Sequence, residues 1–181
     1  KFNDIYKDKK KSKIKLLKKD KILCAKFRKG HFEGVLDVMN KLTKIVNPQK
    51  IFMGEKDFQQ LFMVKKQLER IYKTKVIPCK TIRDRNNVAL SSRNLLLNKS
   101  NLIIAAKIYE KLVSIKKYIK NKKNIRTFLN LQKKELKNNY KIKIDYLELR
   151  NINNLKISST KQNSRLFIAY YLNNIRLIDN L

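Results

Sequence analysis

Three short segments of this 181-residue chain combine polar side chains in ways that suit work on phosphate. The first is Gly54-Glu55-Lys56-Asp57-Phe58-Gln59-Gln60, where an apolar run ends and a helical pattern begins. At such a junction the unpaired N–H groups of the helix start, with their partial positive charge, favour an anion. Gly54 would let a backbone approach closely, and Lys56 adds a full charge. Asp57 suits either an N-cap or a ribose-hydroxyl acceptor, and Gln60, one turn in, presents an amide to a polar substrate group. The plain alternative is a capped surface helix with an ordinary lysine. Spacing alone does not separate the two, since the segment is neither a Walker loop nor a GxGxxG fingerprint.

The second segment is Val88-Ala89-Leu90-Ser91-Ser92-Arg93-Asn94, which sets two hydroxyls beside a guanidinium. Hydroxyls and backbone N–H groups can position polyphosphate oxygens while arginine stabilises charge on a leaving pyrophosphate. Its alternative is a serine N-cap with an exposed arginine. The third is Arg28-Lys29-Gly30-His31-Phe32, which holds the only histidine. A lone histidine is more often a structural group than a catalyst, but at a strand-to-helix turn on the same sheet edge as Gly54 it would face a bound ligand. Ser91-Ser92 lacks the GxSxG frame of a hydrolase elbow, and one His with unpaired Cys residues argues against a protein zinc site.

The elements that must carry these segments follow from periodicity. Residues 1–20 are rich in lysine and read as a solvated connector. Lys21–Ala25 reads as a short strand. After Gly30, Val35, Val38, Met39, Leu42, Ile45 and Val46 recur at helical spacing until Pro48. Lys50–Met53 reads as a buried strand, Phe58, Leu61, Phe62, Leu68, Ile71 and Tyr72 as the inner face of a second helix, and Val76–Cys79 as the next strand. Strand, helix and strand in about thirty residues predict a βαβ unit with a parallel sheet.

Past Pro78 the texture changes. Asn86-Asn87 signals a turn, because asparagine tolerates the left-handed region. Ser100 is the expected N-cap of a helix holding Leu102, Ala105, Ala106, Tyr109, Leu112, Val113 and Ile119, and a further helix runs from about Ile125 to Tyr140. Ile142, Ile144 and Tyr146 alternate as a strand, and 166–172 and 175–178 flank Asn173-Asn174 as a hairpin. The expected organisation is an α/β parallel-sheet part over residues 1–82 and a small α+β part over 83–181.

Lys+Arg 45 against Asp+Glu 14 gives a net charge of +31, which favours nucleic acid or an anionic surface as a partner. The excess is mostly lysine, however, and accompanies many asparagines and isoleucines, so a coding bias explains it more simply. The nine arginines are scattered rather than clustered for bidentate readout. Cys24 and Cys79 are isolated and read as buried thiols. No run approaches the ~18 apolar residues of a membrane span, no signal-peptide core is visible, and a cytoplasmic protein is expected.

Taken in order, the three segments resemble the pantothenate synthetase (pantoate–β-alanine ligase) family. Arg28, Gly30, His31, Phe32, Gly34 and Val35 match its Arg-Pro-Gly-His-Phe-x-Gly-Val run. Residues 54–60 match its Gly-Glu-Lys-Asp-x-Gln-Gln run, and residues 90–94 its Leu-Ser-Ser-Arg-Asn run. Asp145-Tyr146, Glu148, Leu155 and Arg176-Leu177-Ile178-Asp179-Asn180 continue the likeness. The resemblance implies part of a Rossmann-like sheet of the HIGH-type nucleotidyltransferases, followed by a small lid domain. It implies activation of pantoate by ATP and Mg²⁺ as pantoyl adenylate, then displacement of AMP by the amine of β-alanine, by a homodimer. Carried over by position, Gly54, Glu55, Lys56 and Asp57 would contact ATP, as would Ile82 and Leu90, Ser91, Ser92 and Arg93. Gln60 would hold pantoate, and Lys56, Arg93 and His31 are the candidate catalytic residues. No metal-ligating residue is assigned.

The chain also departs from the pattern. Lys29 replaces proline, and Asn86-Asn87 stands where the family has Asp-Gly. The HxGH turn and the first pantoate-binding glutamine have no counterpart, and the chain begins without methionine at a stretch like the family's Ile-Tyr region, Ile5-Tyr6. Residues 1–181 alone are therefore expected to be a partial sequence, inactive and marginally stable. Two alternatives stand beside this reading: a basic nucleic-acid-binding module, and a related adenylate-forming nucleotidyltransferase with another acid. The reading requires the turn around residue 56 and the loop around residue 92 to serve one triphosphate.

Overall fold

The computed structural model describes residues 5–6, 14–119 and 123–181. Most of the lysine-rich connector, residues 1–4 and 7–13, lies outside the described residues. The chain divides into two compact units, Lys1–Lys80 and Thr81–Leu181, so Ile82 falls in the second.

In the first unit the expected strand at Lys21–Ala25 is instead a short helix, α1 (Leu23–Phe27). Its backbone bonds are local: Ala25 N–H donates to Ile22 O at 2.9 Å and Arg28 N–H to Cys24 O at 3.0 Å. A four-residue apolar run fits either form, and a run this short carries no period to decide between them. Leu23, Cys24 and Ala25 are buried. Helix α2 (His31–Val46) follows, with Phe32, Leu36 and Thr43 on its buried side. The expected face was rotated, for Ile45 and Val46 are 62% and 65% exposed. Asn47 ends the helix in the left-handed region at φ 47° and donates to Thr43 O, with Pro48 next, as befits a residue that cannot continue a helix.

Strand β1 (Lys50–Gly54), helix α3 (Phe58–Ile71) and strand β2 (Lys75–Cys79) form the expected parallel βαβ unit, with Ile51 opposite Val76 and Gly54 opposite Cys79. Helix α3 packs on β2 and α2. Leu61, Met63, Val64 and Leu68 are its buried apolar residues, while Ile71 is exposed. The expectation that β1 is buried is corrected. Its residues alternate exposed and half-buried, with Phe52 at 67% exposure, because β2 is its only partner strand among the described residues. Cys79 is likewise exposed, at the end of β2, whereas Cys24 is buried.

The second unit packs helices α4 (Lys99–Tyr118) and α5 (Ile125–Tyr140) with an antiparallel sheet ordered β3 (Lys143–Asn151), β4 (Ser164–Leu172), β5 (Ile175–Asn180). Ile108, Leu112, Ile115 and Ile119 meet Leu129, Leu136, Leu166, Ile168 and Leu172 in one core. The cap of α4 is Asn98, whose side chain accepts from Asn101 N at 2.8 Å. Ser100, the expected cap, is the second residue of the helix. Both Asn and Ser are strong caps, so residue type could not choose between positions two apart. The Asn173-Asn174 hairpin forms as expected, with Asn173 at φ 53°. No described helix is long and apolar enough to cross a membrane.

Candidate functional site

Gly54 closes β1 in an ordinary extended conformation, and a Cβ built on it would meet nothing within 4 Å. Among the described residues no atom demands glycine there, and none fills the space over the backbone. Glu55–Asp57 make one 3₁₀ turn before α3. Asp57 occupies the N-cap position but its side chain makes no capping bond. It is 54% exposed and lies 4.0 Å from the Lys56 ammonium, which is itself only 18% exposed. Asp57 thus does not cap α3 itself, and a helix start of this kind favours an anionic acceptor. Gln60 is half-buried.

The residue that sequence reasoning passed over is Gln59. Its side chain is buried, its Oε1 accepts from Ala25 N at 3.3 Å, and its Nε2 donates to Ile22 O at 2.8 Å and to Asp20 O at 3.4 Å. It joins the first turn of α3 to α1, which leads through Arg28 and Gly30 into α2. A Gln-Gln pair offers no sequence signal for which amide turns inward. Gly30, at φ 77°, is the N-cap of α2, a conformation that costs a residue with a Cβ. His31 is the first helical residue, its ring edge-on to Phe32 at 5.1 Å and its N–H bonded to Arg28 O at 3.2 Å. Lys29, in the family's proline position, is exposed in the turn.

In the second unit Ile82 and Leu90 lie side by side, with Leu90 N donating to Ile82 O at 3.0 Å and exposures of 71% and 52%. Between them the chain reverses through a turn in which Asp84 Oδ1 accepts from the amides of Asn86 and Val88. Asn87 sits at φ 63°, so asparagine does adopt here the angle that favours glycine. Ser91 Oγ accepts from Arg93 N at 3.3 Å and caps a 3₁₀ turn, Ser92–Leu96. The serine-cap alternative is realised, but the arginine is anchored rather than loose, since Arg93 Nη1 donates to Arg176 O at 3.0 Å. Ser92 is exposed.

A second unforeseen group holds this loop. The Arg83 guanidinium makes two 2.8 Å bonds to the Asp179 carboxylate and a third, of 3.0 Å, to Asn87 O, and stacks 4.3 Å over the Tyr109 ring. Burial alone would lower the Arg83 pKa, yet the hydrogen bonds and charge of Asp179 prevail and hold it above the ordinary value. Burial pushes the neighbouring Tyr170 hydroxyl well above the usual tyrosine range, with Asp179 adding to the effect. Arg83 and Asp179 are 96 positions apart, beyond any local pattern. Among the described residues no cluster of three or more His, Cys, Asp or Glu side chains is placed to hold a metal ion.

The fold built from these two units is shared with solved pantothenate synthetases. The structure from Thermus thermophilus superposes with a TM-score of 0.89 at 26% identity over 100% of this chain and 67% of that one. Pantoate-beta-alanine ligase from Francisella tularensis, solved in complex with beta-gamma ATP and beta-alanine, matches with a TM-score of 0.75 at 34% identity over 99% and 61%. Among curated relatives, pantothenate synthetase of Flavobacterium psychrophilum is 38% identical over 160 residues, 86% of this chain and 56% of the relative. That of Clostridium botulinum strain 657 is 40% identical over 166 residues, 87% and 57%. The family model described as pantoate-beta-alanine ligase matches residues 1–181, and the chain belongs to that family. It spans less than two-thirds of the length of these curated relatives.

Proposed function

We propose that this chain serves the ATP-dependent condensation of pantoate with β-alanine, through pantoyl adenylate, to give pantothenate, AMP and pyrophosphate. The observation that carries the reading is the Gly54–Gln60 turn: a helix start that Asp57 does not cap, space over Gly54 that no described residue fills, and a nearly buried lysine beside it. In this reading Gly54, Glu55, Lys56 and Asp57 contact ATP, and Gln60 holds pantoate. Ile82 and Leu90 offer exposed apolar side chains to the adenine. Ser91, Ser92 and Arg93 engage the phosphates. His31 lies at the head of α2, just after the α1 segment that Gln59 ties to α3.

Attack of the pantoate carboxylate on the α-phosphorus needs alignment and charge neutralisation more than proton transfer. Lys56 and Arg93 supply fixed positive charge that costs no reorganisation as the pyrophosphate leaves. The amine of β-alanine then attacks the acyl carbon and expels AMP, a step that requires the adenylate to be kept from water. Mg²⁺ enters with ATP as the counter-ion of the triphosphate, in keeping with its habit of retaining waters and taking few protein ligands. The resemblance further implies a homodimer and a cytoplasmic place of action. The test is pantoate-dependent exchange of labelled pyrophosphate into ATP by the protein that carries this chain. Lys56→Ala should lower the exchange by ~10²–10³; exchange that ignores pantoate, or that survives the substitution, would refute the reading.

A further inference from the structure

We infer that Gln59 is a positioning residue that staples the segment before the His31 turn to the turn bearing Lys56 and Gln60. This inference rests on the nucleotide reading above. Leu23 is buried at φ 46°, a backbone region that side chains of its kind seldom adopt. Such a conformation persists only where surrounding contacts over-determine it. The Gln59 amide brackets it, accepting from Ala25 N two residues on and donating to Ile22 O immediately before. A further donation to Asp20 O gathers the end of a preceding 3₁₀ turn, Lys18–Asp20.

Each polar atom of this one buried side chain is used, and every partner is backbone 34 to 39 residues away. No other side chain at that position could do the same. Methionine has the length but no hydrogen-bonding amide, and glutamate keeps the acceptor but lacks the donor for two carbonyls. Because α1 runs through Arg28 and Gly30 into His31, fixing Ile22–Ala25 also fixes the start of α2 against the start of α3. The neighbour of Gln59 on one side is the amide assigned to pantoate, and three positions back is Lys56. Loss of the staple should therefore loosen both turns at once.

The chain carries its own reporters. Cys24 is buried inside the bracketed turn, while Cys79 is exposed at the end of β2 opposite Gly54. Labelling of the protein that carries this chain with a disulfide reagent, read by peptide mass, should modify Cys79 quickly and Cys24 slowly. ATP should slow labelling of Cys79, since adjacent strands lie only ~4.8 Å apart. In Gln59→Met and Gln59→Glu the Cys24:Cys79 rate ratio should rise at least ~10-fold. The ATP concentration giving half-protection should rise at least ~5-fold through the same local opening. Leu68→Ala, a core change in the same unit, should lower the melting temperature without raising that ratio at temperatures well below the melt. An unchanged ratio in both Gln59 variants overturns the staple, and a raised ratio with unchanged ATP protection overturns the positioning role. Absence of ATP protection in the unsubstituted protein that carries this chain would count against the nucleotide reading instead, and the Cys24 ratio would still decide the staple.

Discussion

The Arg83–Asp179 clasp allows a quantitative test within the second unit. Both side chains are largely withdrawn from water, at 15% and 9% exposure, so Arg83→Met would strand a desolvated carboxylate. Removing one member of a buried pair typically costs about 3–5 kcal/mol. Asp179 keeps one bond, from the Asn180 amide at 2.7 Å, which argues for the lower end. Against that, the Tyr109 stack and the bond to Asn87 O are lost as well, and a cation–π contact adds about 0.5–2 kcal/mol. A loss of about 3–4 kcal/mol in a unit of this size should lower its melting temperature by at least about 12 °C. Urea denaturation followed by circular dichroism, with hydrogen exchange at the Leu90 amide, would measure both the global loss and the freed loop. Arg83→Lys, which keeps the charge but not the fork, should fall between. Arg83→Met combined with Asp179→Asn should recover part of the loss, because the stranded charge is gone. A change below about 0.5 kcal/mol in Arg83→Met, the size of an ordinary surface substitution, would refute the argument.

Two further outcomes are expected. Asn98→Ala should destabilise the second unit by about 1 kcal/mol through loss of the α4 cap, while Ser100→Ala should be close to neutral, as urea titration of the two variants would show. Burial raises the Tyr170 pKa in the folded state, so above about pH 10 the unfolded chain loses a proton that the folded chain keeps, and stability falls as pH rises. Tyr170→Phe should flatten that alkaline slope by up to about 1.4 kcal/mol per pH unit, measurable by urea titration between pH 9 and 11.

Much of the scaffold could be read from the residues. The β1–α3–β2 unit, the helix at 125–140 and the closing hairpin each rest on a period or turn signal strong enough to survive tertiary context. What failed were short or two-sided signals. Ile22–Ala25 is too brief to carry a period, and its form is set by the distant amide of Gln59. The apolar stripe of α2 lies about one position off its buried side, because Ile45 and Val46 extend that stripe although both are mostly exposed. The candidate site residues were found as local clusters of chemistry. The residues that hold those clusters, Gln59 and the Arg83–Asp179 pair, were not, since each acts on partners that only folding brings near.

The clasp also has a bearing on the order of synthesis. Arg83 emerges from the ribosome 96 residues before Asp179, and at about 5–20 residues per second it must wait roughly 5–20 s for its counter-ion. Until then a guanidinium, the turn it anchors and the loop beyond are unsecured, and a nascent chain interrupted between Tyr140 and Asp179 could complete its helices yet never set that loop.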